Sequence, residues 1–339
     1  MKSGSWYARK IKRRPVQAVR YTVQAMFLLF LMYVGLRFYQ FYTHFHTAGN
    51  EPFVNRPSAV EGFLPISGLV GLKVWLASGT FDRIHPAGLV LFAFFVGSGI
   101  IFKKSFCSWL CPVGTISEWT GKLGKKLFKQ NLEIPEWMTW LLMPLKYLLL
   151  LFFLKLIVFD MDLYSATAFL KDPYNKISDV KMLLFFLNIG GFALKFIIVM
   201  FVLSLFFKNF WCRFLCPYGA LIGLGSIFGI TKITRNEDTC IDCEQCTRVC
   251  PQRIKVSKKE AVLTPDCTAC MLCVEACPVK DTLNMTVARK KVNKWFVPVA
   301  FIGAFFLVVT IAKLTGHWNT IITYKEFNEL ITDINSIGH

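Results

Sequence analysis

All twelve cysteines of this chain are separated from another cysteine by two or three residues, and none is left over. Four lie in CIDCEQCTRVCP (240–251) and four in CTACMLCVEACP (267–278), each reading C-x2-C-x2-C-x3-C-P. The other four lie in FCSWLCPVGT (106–115) and WCRFLCPYGA (211–220), each reading C-x3-C-P-x-G. Disulfide scaffolds belong to short secreted chains. This chain has 339 residues, of which 54% are hydrophobic and 33 are Phe. In that setting the spacings read as metal or cluster ligation in a reducing compartment. The fold must therefore bring several thiols to one point, more than once.

The motifs at 240–251 and 267–278 carry the spacing of a bacterial two-cluster ferredoxin. In such a spacing three close thiolates hold one face of a [4Fe–4S] cube, and the fourth crosses to the other cube. The expected ligands are Cys240, Cys243, Cys246 and Cys277 for one cluster, and Cys267, Cys270, Cys273 and Cys250 for the other. Pro251 and Pro278 turn the chain after the last ligand. Small Thr268, Ala269 and Ala276 suit a tight wrap. A pair of four-cysteine zinc sites is the alternative. Zinc ribbons pair two C-x2-C knuckles, however, and do not run three thiolates in a row before Cys-Pro. Two adjacent clusters serve single-electron transfer, and nothing here builds a substrate pocket around them. A small α+β insert over residues 232–288 is expected.

The rest is oily enough for a bilayer, with a mean hydropathy of +0.47. A spanning helix needs about 20 mainly apolar residues. Five segments qualify, at about 22–44, 86–103, 137–159, 183–207 and 295–313. The expected fold is a membrane all-α protein of about five transmembrane helices with a parallel internal repeat, plus the α+β insert. Its expected parts are a basic N-terminus (1–21), a four-helix region (22–231), the insert (232–288), a fifth helix (289–315) and a tail (316–339). The formal charge is +18 although only 18% of residues are charged. Nucleic-acid binding would want basic and aromatic residues together on a soluble module, so no nucleic acid is expected. Lysine and arginine gather instead in 1–20, at Lys103, Lys104, Lys122, Lys125, Lys126 and Lys129, at Lys208 and Arg213, and at Arg289, Lys290, Lys291 and Lys294. By the positive-inside rule the N-terminus, both C-x3-C-P copies and the insert are cytoplasmic, and the C-terminal tail is periplasmic, in a bacterial inner membrane. Residues 60–81 carry Pro65, Gly68, Gly71 and Lys73, and read as a broken or interfacial helix on the outer face. No small-residue cleavage site follows the first apolar run, so it reads as an uncleaved anchor.

Cys107 and Cys111 are four residues apart and would share one face of a helix, as would Cys212 and Cys216. Spans one and two lead into the first copy, and spans three and four into the second. Parallel repeats are related by an axis along the membrane normal, which would gather Cys107, Cys111, Cys212 and Cys216 at the cytoplasmic surface. Four gathered thiolates could hold a third [4Fe–4S] cluster or a soft metal such as Cu(I). They could also cycle as disulfides. The plain alternative is buried helix-end cysteines, with proline marking a turn.

The doubled C-x3-C-P after membrane helices, joined to the two-cluster motif, resembles the NapH/NosR/CcoG-type membrane polyferredoxins, most of all their plain YccM-like members. The resemblance covers roughly residues 20–290. It implies a protein that passes electrons between the membrane quinone pool and a partner redox protein. The NapH branch is linked to menaquinol oxidation, the NosR branch to nitrous oxide reductase, and the CcoG branch to copper reduction. The flavin-binding domain of NosR-like proteins and the terminal β-domain of CcoG-like proteins are not expected here, so neither specialised role carries over. The alternatives to an electron-transfer role are a copper reductase working through the four membrane cysteines, and a non-catalytic membrane anchor for the subunits of a larger redox complex.

Quinone chemistry needs a proton acceptor beside an apolar slot. His44, His46, Lys73, Asp82, Arg83 and His85 are candidates on the outer side, although FDRIHP (81–86) also reads as a helix cap before Pro86. An outer site would lie nearly a membrane thickness from cytoplasmic thiols; one near the C-x3-C-P pair would not. No C-x-x-C-H for covalent haem occurs. In the tail, apolar residues at 327, 330, 331 and 334 give a short amphipathic helix, expected to lie on the membrane or dock a partner.

Overall fold

A computed structural model describes residues 14–129 and 131–338. The basic stretch 1–13, counted above as part of a cytoplasmic N-terminus, lies outside the described residues. In chain order the first elements are α1 (Pro15–His46), α2 (Pro65–Ser78), α3 (Pro86–Phe102), α4 (Ser105–Trp109), α5 (Pro112–Leu127), α6 (Glu136–Leu142) and α7 (Leu145–Leu154), which ends in a π-helical turn. There follow α8 (Leu163–Lys171), α9 (Pro173–Lys176), α10 (Ser178–Leu187), α11 (Gly191–Phe206), α12 (Phe210–Phe214) and α13 (Pro217–Ile227). The last are β1 (Thr231–Arg235), α14 (Gln245–Val249), α15 (Leu272–Ala276), β2 (Leu283–Val287), β3 (Lys290–Val292), α16 (Phe296–Leu314) and α17 (Tyr324–Thr332).

Among the described residues, three helical runs are long and apolar enough to cross a membrane: Pro15–His46, Glu136–Asp160 and Phe296–Leu314. Only 17% of the apolar window of the first is buried, so its side chains need a lipid-like cover. Met26, Leu29, Phe30, Met32 and Leu36 are among the exposed apolar residues. The fourth expected span is a bent pair, Ser178–Leu187 and Gly191–Phe206, turned by 80° at the break. The break covers residues 188–190 and ends in Gly190, which has no Cβ to restrict the backbone as it leaves the helix. The second expected span coincides with a helix to within one residue. Helix α3 has 17 residues, about 26 Å of rise, and stops where Lys103 adopts φ 58°. Residues 60–81 form a 3-10 turn and the 14-residue α2, too short to cross.

The chain divides into two compact units. One comprises residues up to Leu28, Phe95–Leu150 and Ile198–Ala304. It contains an antiparallel sheet in the order β1-β2-β3, with Thr231 opposite Val287 and Arg235 opposite Leu283. This sheet backs the α+β insert and runs to Val292, a little beyond the expected end at 288.

The other unit comprises Leu29–Phe94, Leu151–Ile197 and Phe305–His339. Its larger core joins Val34, Phe38, Phe41 and Phe45 of α1 to Ile177, Val180, Phe327 and Ile331. The amphipathic helix of the tail therefore spends its apolar face inside the protein. Helix α1 presents the matching aromatic stripe, with Phe41 edge-on to Phe327 at 5.2 Å, so that face is not the one free to meet a membrane or a partner. A smaller core joins Val70 and Val74 of α2 to Ile157, Ala166 and Leu170.

Candidate functional site

Each C-x2-C-x2-C segment passes twice through the left-handed region at residues other than glycine. These are Asp242 (φ 49°) and Glu244 (φ 56°) in the first, and Ala269 (φ 46°) and Met271 (φ 61°) in the second. Alternation of right- and left-handed residues turns successive backbone N–H groups to one side, a concavity typical of anion and iron–sulfur sites. Two cavities result. One is lined by Cys250, Cys267, Cys270 and Cys273, with Ile233, Val256 and Val262 on its apolar side. The other is lined by Cys240, Cys243, Cys246 and Cys277. No other cysteine enters either wall. Cys250 thus joins the second triplet and Cys277 the first. Cys246 lies within electrostatic reach of Cys273, so the cavities adjoin. Burial pushes the Cys250 thiol up to about 12, with the charges of Cys270 and Cys267 adding to it. Burial and the neighbouring thiols also push Cys273 well up. Such thiols ionise when a cation-bearing group replaces the proton.

The two C-x3-C-P copies fold alike. Cys107 sits on the five-residue α4 and Cys212 on the five-residue α12. The expected single helix carrying both cysteines of a copy does not form. The helix stops at Trp109 or Phe214, and a new one starts at Pro112 or Pro217. Proline at the first helical position fits because that position needs no N–H partner. Cys111 and Cys216 stand at the break as N-caps, where their Sγ atoms accept from Gly114 N at 3.5 Å and Gly219 N at 3.2 Å. The positive end of each new helix favours a thiolate there.

All four thiols come together. Cys212 lies within electrostatic reach of Cys216, Cys111 and Cys107. Burial pushes Cys107 up to about 11, with Lys104 pulling down and Cys216 pushing up. Among the described residues, no three His, Cys, Asp or Glu side chains converge closely enough to hold a single metal ion. The same holds for the two cysteine sets of the insert. A tetrahedral zinc with sulfur at 2.3 Å would need its sulfurs about 3.8 Å apart.

The insert is fastened to the first C-x3-C-P copy. Ser108 Oγ donates to Thr268 O at 2.7 Å, and Lys104 N donates to Cys267 O at 3.4 Å. The first turns of α1 clamp both. Gln17 Nε2 donates to Cys270 O at 2.8 Å and Gln24 Nε2 to Ser108 O at 2.8 Å. Glu275, between Cys273 and Cys277, accepts from the N–H groups of Val16 and Gln17 at 3.1 and 3.0 Å, capping the helix. Arg20 pairs with Glu118 at 2.6 Å. Helix α1 begins at Pro15, seven residues before the expected span, because these contacts order it.

Lys146 was not anticipated. It is fully buried and its Nζ lies 2.5 Å from Asp266 Oδ1, one residue before Cys267. The signal was present as a lone lysine in the apolar run LKYLLLL (145–151).

The candidate quinone residues do not form one site. His44 is held between Glu51 O at 2.5 Å and Tyr324 Oη at 2.9 Å. Lys73 Nζ binds the carbonyls of Ile157, Val158 and Met161. Asp82 Oδ1 accepts from Ile84 N at 2.8 Å, which closes a turn ahead of α3 and reaches none of the helix's own amides, so the expected helix cap does not form. His85 belongs to a buried network in which Arg56 bonds Glu61 and Asp179, each at 2.7 Å, and His85 Nε2 meets Asn175 O at 2.6 Å. His46 and Arg83 are exposed.

Comparison with known proteins agrees with this geometry. A family described as a 4Fe-4S binding domain matches twice, at residues 84–131 and 189–233, once around each C-x3-C-P copy. A 4Fe-4S dicluster domain matches residues 233–285. The protein named "Putative electron transport protein YccM" of Escherichia coli (strain K12) is 39% identical over 94% of this chain and 91% of its own length. The ferredoxin-type protein NapH of the same organism is 28% identical over 54% of this chain and 62% of its own length. Protein NirI of Paracoccus denitrificans is 26% identical over 54% of this chain and 27% of its own length. No solved structure matches. The apolar helices and the cysteine sets define an iron–sulfur electron-transport protein of the membrane. Within that class, this chain belongs to the polyferredoxin family of the YccM and NapH proteins.

Proposed function

We propose that this protein carries single electrons in the bacterial inner membrane, between the quinone pool and a partner redox protein, with three [4Fe–4S] clusters. When bound, each cluster takes up and returns one electron at a time. The ligand sets are Cys240, Cys243, Cys246 and Cys277; Cys250, Cys267, Cys270 and Cys273; and Cys107, Cys111, Cys212 and Cys216. The observation that carries this reading is the sorting of twelve cysteines into three groups of four, two of them lining separate cavities. The three sets form a series. The Cys267–Cys270 loop is its middle member, hydrogen-bonded to the α4 segment that carries Cys107 and adjoining the Cys246 set.

The residues around the sets act on charge and access. Gly114 and Gly219 N–H groups point at the cysteine sulfurs, and the insert's left-handed residues aim further N–H groups inward. Apolar Ile233, Val256 and Val262 line the middle cavity. The unit with all twelve cysteines carries 28 Lys and Arg against 11 Asp and Glu, whereas the other carries 11 against 10. That asymmetry supports a cytoplasmic position for the thiols, with five spans if α3 and the bent pair each cross. The matched folding of the two C-x3-C-P copies supports a parallel internal repeat.

The test is an anaerobic iron and acid-labile sulfide count on wild type and on a Cys107/Cys111/Cys212/Cys216→Ser variant. Three clusters predict about twelve irons in wild type and about eight in the variant. Eight in both would remove the third cluster and leave those thiols as a transient-metal or disulfide site. Addition of menaquinol should then reduce the wild-type clusters, read by their spectra; spectra unchanged by quinol would overturn the quinone assignment.

A further inference from the structure

Lys146 lies inside the membrane-competent run Glu136–Asp160 and is fully buried. A charge in such a run is costly and marks a function unless its partner explains it. Its partner is Asp266 at 2.5 Å. One carboxylate does not balance the region, because Lys104 Nζ stands 3.7 Å from the same oxygen and is equally buried. Arg213, beside Cys212, also lies within electrostatic reach of Asp266, and its buried Nε has no hydrogen-bond partner. Three cations thus face one anion. A structural ion pair would be neutral. The surplus positive charge adjoins the four thiols, since Lys104 and Lys146 both lie within electrostatic reach of Cys107 and Cys216.

We infer that Lys146, held in place by Asp266, is a positioning residue that sets the reduction potential of the iron–sulfur group on Cys107, Cys111, Cys212 and Cys216. The inference rests on the three-cluster reading above. A fixed cation beside the group favours its more negative, reduced form, so the lysine raises the potential and the aspartate lowers it. Because Asp266 directly precedes Cys267, the pair also ties this tuning charge to the middle cysteine set.

The test is potentiometric titration followed by electron paramagnetic resonance on purified wild type and on Lys146→Met, Lys146→Arg, Asp266→Asn and Lys146→Met/Asp266→Asn variants. Iron is counted on each sample. The signal of the four-thiol group is identified as the one absent from the four-serine variant. Lys146→Met should shift that midpoint to more negative potential, and Asp266→Asn to more positive potential. Lys146→Arg should restore it, and the double variant should fall between the singles. Should Lys146→Met fail to accumulate, the positive shift in Asp266→Asn and the rescue by arginine carry the test. Twelve irons with unmoved midpoints would overturn the inference alone, as would shifts of the same sign in both singles, which a merely structural pin would give. Eight irons in wild type would overturn the three-cluster reading and this inference together.

Discussion

The unit built from residues up to Leu28, Phe95–Leu150 and Ile198–Ala304 holds all twelve cysteines and no histidine, whereas the other unit holds all five histidines and no cysteine. Both bury charge. In the histidine unit the buried charges close on themselves. Arg56 satisfies Glu61 and Asp179, and Glu61 also accepts from Gly88 N at 2.9 Å. Burial pushes His85 down, but the carboxylate of Glu61 outweighs it and holds the ring above its ordinary range. One cation, two carboxylates and a readily protonated imidazole sum to nearly nothing, so the network pins loops together and asks for no ligand. In the cysteine unit Lys104, Lys146 and Arg213 share Asp266 and leave a surplus beside ionisable thiols. A buried network that balances reads as structure, and one that does not reads as a site.

The largest expected effect lies in the cysteine unit. A Cβ at Gly114 would run into the Cys107 carbonyl, whereas one at Gly219 would meet Cys216 Sγ only at 3.4 Å. Gly114→Ala should therefore force α4 and α5 apart and lose the iron of the four-thiol group, about four of the expected twelve. Gly219→Ala should keep it. An iron count on both variants checks this; equal retention would show that the break between the short helices tolerates movement.

Next in size is Arg56→Met in the histidine unit. It leaves Glu61 and Asp179 buried without their cation, at a cost of about 3–5 kcal/mol. Thermal melting in detergent should fall accordingly, while iron per folded chain stays at the wild-type value. Iron lost in proportion to nothing but this substitution would break the separation between the units.

Much of the cysteine unit was legible in advance, because ligand spacing is local. The crossing of Cys250 and Cys277 between triplets follows from motif spacing, and the two cavities carry those cysteines and no others. What spacing could not give was non-local. Cys107 and Cys111 were expected on one helix face, but Pro112 starts a new helix and makes Cys111 its cap. Pairing of Lys146 with Asp266 joins residues 120 apart in sequence, and only the lone lysine in an apolar run hinted at it. The amphipathic tail was read correctly as a helix, but its apolar face pointed to no partner until α1 supplied one.

The smallest expected effect tests whether the cysteine unit also contains a balanced network. Glu118 is nearly buried and pairs with Arg20 at 2.6 Å and with Lys122 at 2.8 Å. Burial pushes its carboxyl up, but Arg20 and Lys122 more than reverse this and hold it at about 2, against an ordinary 4.5. A group held below its unfolded value contributes fully above that value and loses its contribution as pH falls through the folded one. The stabilisation from Glu118 should thus be whole above pH 4.5 and fade between pH 4.5 and about 2. Glu118→Gln keeps an acceptor for Arg20 and removes only the charge, so it should cost about 2 kcal/mol at neutral pH. Melting curves of the two proteins should draw together as pH falls through that window. Because Arg20 also donates to Ser108 O at 3.3 Å, the clamp should loosen without releasing iron. If the variant lost the four-thiol iron instead, Arg20 and Glu118 would belong to the site rather than to its scaffold.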